Sequence, residues 1–126
     1  MGGINELEGE ALAEAVALAQ EWERYSGDSS QWVIERPGVR MWQGSVEGYR
    51  PDRDISQAWE LVETMRNDGY RLDPLRHDRL GFSLAYIVRF IHEDGDGLPW
   101  EAGFIGRGYT APVAICRAFL KAKATE

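Results

Sequence analysis

The chain has a single cysteine, Cys116, so no disulfide can form within it. Its only histidines are His77 and His92. There is no Cys-x-x-Cys, no His-Glu-x-x-His and no P-loop. No serine sits in a Gly-x-Ser-x-Gly elbow. His92 stands beside Glu93, Asp94 and Asp96, which raises a metal reading. The Asp94-Gly-Asp96-Gly run is too short for a twelve-residue calcium loop and lacks its closing Glu. Asp-Gly pairs favour hairpin turns on steric grounds, so a turn is expected there. No apolar run approaches the roughly 18 residues of a membrane span. The opening Met1-Gly-Gly-Ile-Asn-Glu has neither the basic nor the apolar region of a signal peptide, so a cytoplasmic location is expected. Together these absences point away from enzyme, cofactor and metal.

Positive charge is scarce at the N-terminus. Residues 1–25 hold six Glu against Arg24 alone, which places −5 of the net −7 there. An acidic surface disfavours direct contact with a nucleic-acid backbone, which requires Lys and Arg to displace counterions. The same surface suits a basic protein partner.

What is present fits one globular domain of 126 residues with 44% hydrophobic content. That length buries a core without disulfides or metals. Leu12, Ala15, Val16, Ala19 and Trp22 recur at helical spacing and predict a first helix over 8–25. Gln31–Glu35 and Val39–Gln43 flank Arg36-Pro37-Gly38 and predict a β-hairpin with a type II turn. The segments 26–30 and 44–53 read as loops. Ile55, Ala58, Trp59, Val62 and Met65 predict the buried face of a second helix, capped by Asp52 or Asp54 and ended by Gly69. The period then becomes two. Tyr70 and Leu72 predict a short strand ended by Pro74. Phe82, Leu84, Tyr86, Val88 and Phe90 form the apolar face of a long strand. Ile87, Arg89 and Ile91 lie on its mixed face, an exposed patch unless something covers it. Trp100, Ala102 and Phe104 predict a third strand after a loop at 93–97. Thr110 and Pro112 open a last helix whose stripe is Ile115, Cys116, Phe119 and Ala122. Cys116 on that stripe is expected to be an inert core thiol. The fold expected is α+β: an antiparallel meander with amphipathic helices packed on it.

Asp54-Ile-x-x-Ala58-Trp59-x-x-Val62-x-x-Met65, then Gly69-Tyr70, then Thr110-Ala-Pro-x-Ala-Ile-Cys-Arg-Ala-x-Leu-Lys121 resembles the phage ABA sandwich domain. Glu6-Leu7-x-Gly9-x-Ala11-Leu12 through Ala19 is similar to the start of a second group of small phage proteins. The resemblance covers 55–126 and, loosely, 6–19. Residues 26–53 depart from it and read as a divergent insertion. It implies a fold and a phage origin, and it carries over no catalytic residue.

Two surfaces are candidates for binding. One is acidic and aromatic: Glu10, Glu14 and Glu21 on the outer side of the first helix, with Trp32 and Trp42 of the middle segment, unless those two rings instead pair across the hairpin and cover the sheet. Trp, Tyr and Arg dominate interface hot spots. The other is a set of Arg89, Arg107 and Arg117 beside Trp100, which would suit a phosphorylated small molecule. Phage resemblance, acidic balance and missing catalytic motifs give the leading expectation. It is a non-enzymatic, anti-CRISPR-like inhibitor that binds a host defence protein stoichiometrically, with a homodimer as the assembly. A sponge for a cyclic-nucleotide signal and a morphogenesis protein are the alternatives.

Overall fold

The computed structural model describes residues 3–73, 76–80, 83–92 and 103–124. The chain is α+β. After a short 3₁₀ turn at Ile4–Glu6 come α1 (Gly9–Ala19), then β1 (Glu23–Tyr25), β2 (Asp28–Arg36) and β3 (Val39–Ser45). These are followed by α2 (Ile55–Asn67), β4 (Tyr70–Leu72), β5 (Arg76–Leu80), β6 (Ser83–His92), β7 (Phe104–Gly108) and α3 (Ala111–Ala124).

The first helix is shorter than its apolar periodicity suggests. It stops at Ala19 because Glu21 turns left-handed, with φ 67°. Trp22 N–H donates to Ala17 C=O at 3.2 Å and Glu21 N–H to Leu18 C=O at 3.0 Å. This pair of bonds is a Schellman end, a position that glycine usually fills. A glutamate fills it here, so the stop carried no glycine signal. The strand β1 then uses residues the helical pattern had claimed.

The hairpin forms as expected, with Gly38 at φ 76° supplying the left-handed position of its turn. It is longer than expected, because Asp28–Ser30 join β2. With β1 it makes a three-stranded antiparallel sheet in the order β1-β2-β3, so 26–53 is mostly structured. The alternative in which Trp32 and Trp42 pair across the hairpin does not hold. Trp32 stands opposite Gly44 and Val33 opposite Trp42, with a bulge between.

The expected meander is the second sheet. Tyr70–Leu72 pairs with the end of β6, and Arg76–Leu80 pairs with its start. Phe90 pairs with both Leu72 and Phe104, and Ile87 with both Arg76 and Arg107. So β4 and β5 share one edge of β6, and β7 takes the other. Between Leu72↔Phe90 and Arg76↔Ile87 the β4/β5 side advances one residue further than β6. β5 is polar but for its last residue, Arg-His-Asp-Arg-Leu, and its sequence offers no alternating pattern to betray it. The expectations for Pro74, Phe82, the 93–97 loop, Trp100 and Ala102 lie outside the described residues, as does the side chain of Leu84.

Helix α3 is the centre of the core. It lies on β6 and β7 and meets α1 and α2. The Thr110 hydroxyl accepts from Val113 N–H at 3.4 Å, as its capping role predicts. Ile115, Cys116, Phe119 and Ala122 are all buried. Gly106 and Gly108 let the helix come close: a Cβ on Gly106 would overlap Ala114 C=O and the backbone of Ala118. Leu12 and Val16 of α1 and Leu61, Val62 and Met65 of α2 close the cluster against Val88 and Phe90.

Helix α2 corrects one expectation. Ala58, Leu61, Val62 and Met65 form its buried face, whereas Trp59 is 47% exposed and Ile55 51%. The stripe is rotated toward Leu61, away from the larger ring. Asp54 caps the helix, accepting from Ser56 and Gln57 N–H at 2.9 and 3.3 Å. The Gln57 side chain does not close a capping box. It ties down the preceding loop instead, accepting from Arg50 N–H and donating to Gly48 C=O.

The mixed face of β6 is covered within one chain. Ile87 and Ile91 are buried, and so is Arg89. The face therefore needs no second subunit to cover these three residues.

Candidate protein-binding surface

The hairpin sets the geometry of the first candidate. The two-residue turn places Arg40 across from Glu35 and Trp42 across from Val33, so these four side chains share a face. Arg40 Nε donates to Glu35 Oε1 at 2.9 Å. The guanidinium sits 4.5 Å above the Tyr25 ring and 5.8 Å from that of Trp42. Tyr25 and Trp42 meet edge to face at 5.0 Å. Val33 is buried. The side chain of Trp42 nonetheless remains 56% exposed, beside Val39 at 53% and Met41 at 45%. Trp, Tyr and Arg are the residue types enriched at interface hot spots, and all three meet here with the Trp half exposed.

Among the expected residues, Trp42 stays on this surface and Trp32 leaves it. Trp32 is 1% exposed and belongs to the main core, with Arg24 5.4 Å above its ring. Its role is to anchor the small sheet to the helices. Tyr25 and Arg40 were not singled out from the sequence. The signal was the two-residue turn, which fixes the cross-strand partners of Arg40 once the hairpin is accepted.

The acidic residues do not form one face. Glu10 and Glu14 lie on α1, but Glu21 follows the helix in the left-handed turn. Each is matched with an arginine. Glu21 meets Arg36 at 2.9 Å, Glu14 meets Arg24 at 3.7 Å, and Glu10 lies 4.0 Å from Arg50. Glu10 and Glu14 line a cleft of about 560 Å³ with Glu47, Arg24, Arg50 and Arg53. Three carboxylates against three guanidinia select neither an anion nor a cation. Arg50 is further occupied by a two-bond pair with the buried Asp52, at 2.9 and 2.8 Å.

The arginine set does not converge either. Arg89 is buried against Asp73, with Nε donating to Oδ2 at 2.7 Å. Arg107 is exposed. Arg117 reaches backbone, donating to Arg107 C=O at 2.8 Å and Leu7 C=O at 3.1 Å. Lys121, next along the helix, donates to Ile105 C=O at 2.7 Å. Burial, then the nearby Arg107 and Arg117, lower the pKa of Lys121. These two cations of α3 therefore satisfy carbonyls of β7. Trp100 lies outside the described residues.

Other chemistry is quiet. Burial pushes the Cys116 thiol up to about 12, so it stays protonated at neutral pH and is a poor nucleophile. Burial likewise raises the Tyr49 hydroxyl, which accepts from Gln20 Nε2 at 2.8 Å. His92 packs against Tyr70 with ring centres 5.3 Å apart. Among the described residues no group of His, Cys, Asp and Glu is placed to hold a metal, and no helix is long and apolar enough to cross a membrane. No protein-family model matches the chain, and neither does any curated protein or solved structure.

Proposed function

We propose that this protein is a non-enzymatic, phage-encoded inhibitor that binds a bacterial defence protein in the host cytoplasm, and that the Tyr25–Arg40–Trp42 face is its contact surface. The target class follows from the resemblance to small phage proteins. The contact surface follows from one observation: Trp42 is half exposed while its neighbours already fix its orientation. A preorganised aromatic loses little side-chain entropy on binding. The acidic residues supply a weaker case, because Glu10, Glu14 and Glu21 point to separate arginines.

The test is inhibition of the host system by two variants. Trp42→Ala should lower affinity at least tenfold, the loss expected of a hot spot, with an unchanged melting temperature. Reversing Glu10, Glu14 and Glu21 to Lys should leave inhibition largely intact. The opposite pattern would move the binding surface to the acidic residues.

A further inference from the structure

The outer edge of β3 is an open edge of the small sheet. β3 is last in its sheet, and among the described residues no strand pairs with its other side. Of its seven residues only Arg40 is charged. It carries three of the large exposed apolar side chains: Val39, Met41 and Trp42. Exposed sheet edges in soluble proteins are normally blunted by several charges, by proline, or by a cover. β3 has one charge, no proline and a single bulge near its far end, at Gln43.

Charge identifies the cover. From Glu23 to Ser45, the span of the small sheet, Glu23, Asp28 and Glu35 are balanced by Arg24, Arg36 and Arg40. The whole net charge of −7 therefore lies outside this sheet. Two copies that meet through this neutral sheet bring no net charge together. We infer that two copies join edge to edge through β3, antiparallel about a two-fold axis at Met41, into one six-stranded sheet.

The register follows from the side chains. An axis at Met41 sets Arg40 of one copy opposite Trp42 of the other and Val39 opposite Gln43. Arginine over tryptophan is a favourable cross-strand neighbour. An axis at Arg40 would oppose two arginines, which is destabilising. An axis at Trp42 would centre the ladder on the bulge, setting Met41 against the unpaired Gln43 and Arg40 against Gly44, at φ 124°. The Met41 register places Arg40, Met41 and Trp42, which precede the bulge at Gln43, at the centre of the shared ladder. The joined sheet would carry two Trp42 rings on one continuous face. The inference stands apart from the proposed function, since a monomer could equally bind through Trp42.

Light scattering over a micromolar concentration series tests it. The wild type should pass from monomer to dimer, and Met41→Glu, which places two carboxylates at the axis, should remain monomeric throughout. Since Met41 is exposed, this variant should keep the melting temperature of a folded protein. Met41→Cys gives an independent readout. Directly opposed residues have Cα atoms about 4.5–5.5 Å apart, within disulfide reach. Mild oxidation should therefore link Met41→Cys covalently and leave Val39→Cys unlinked, with the buried Cys116 silent in both. A wild type that stays monomeric, a Met41→Glu variant that still dimerises, or equal cross-linking of both cysteine variants would overturn the inference. Inhibition by Met41→Glu and by Trp42→Ala, measured in parallel, reports on the proposed function separately.

Discussion

Cys116 shows how one side chain links burial to pH. In the fold its thiol is held protonated up to about 12, against an ordinary value near 9. A raised pKa in the folded state means a contribution that is complete below the unfolded pKa and lost as pH rises toward the folded one. Stability should thus be flat to about pH 8.5 and then fall, by at most about 1.4 kcal/mol per pH unit from this group. Denaturation of wild type and Cys116→Ala between pH 8 and 11 isolates the share: the variant should lose stability less steeply. Tyr49, also raised by burial, adds to the slope in both proteins. Glu21 offers the reverse test. It sits where glycine is preferred, and its pair with Arg36 is exposed on both sides, which makes that pair worth little. Glu21→Gly should leave stability unchanged or raise it by about 0.5–1 kcal/mol, since a left-handed conformation is costly for other residues. A clear loss in denaturant midpoint would show that the ion pair matters more than the backbone.

At the level of elements, legibility tracked the strength of local signals. α2 and α3 were readable because capping residues and apolar stripes agreed: Asp54 with Gly69, Thr110 with Pro112. Asp54→Ala should cost about 1 kcal/mol, the usual value of such a cap, in a urea titration. The rotation of α2 was not readable. Trp59 and Leu61 both satisfy helical spacing within error, and only packing against α3 decides between them. Trp59→Ala should consequently cost far less than the roughly 3–5 kcal/mol of a buried ring, whereas Phe119→Ala should reach that range. Comparing the two in one denaturation series checks the orientation of both helices. The end of α1 escaped because a glutamate stands at the left-handed position. β5 escaped because four of its five residues are polar, and its place is dictated by β6, its partner. In the candidate site, the exposure of Trp42 and the burial of Trp32 are set by a bulge that the sequence does not announce.

Across the whole molecule, charge and aromatic surface are separated. The acidic residues crowd outside the small sheet, and the exposed aromatic face lies within it. Binding through that face should therefore depend weakly on salt, because little net charge is brought together. An association rate that fell steeply between low and physiological ionic strength would instead implicate Glu10, Glu14 and their neighbours.

The arrangement of the two sheets has a further consequence, in the rates at which backbone protons leave for solvent. Helix α3 touches both other helices and two strands of the larger sheet. Its central amides, from Ile115 to Leu120, should exchange only when the whole domain opens. The small sheet joins the body chiefly through Trp32, the Glu14–Arg24 pair and the turn at Glu21. It can come away as a unit while the rest stays closed, as cooperative substructures do. Deuterium labelling should then resolve two classes. Amides of β1–β3 should exchange together on a faster clock, and those of α3 and β6 on the slow clock of global unfolding. The surface that meets other molecules would be the one part of the protein free to rearrange without melting its core.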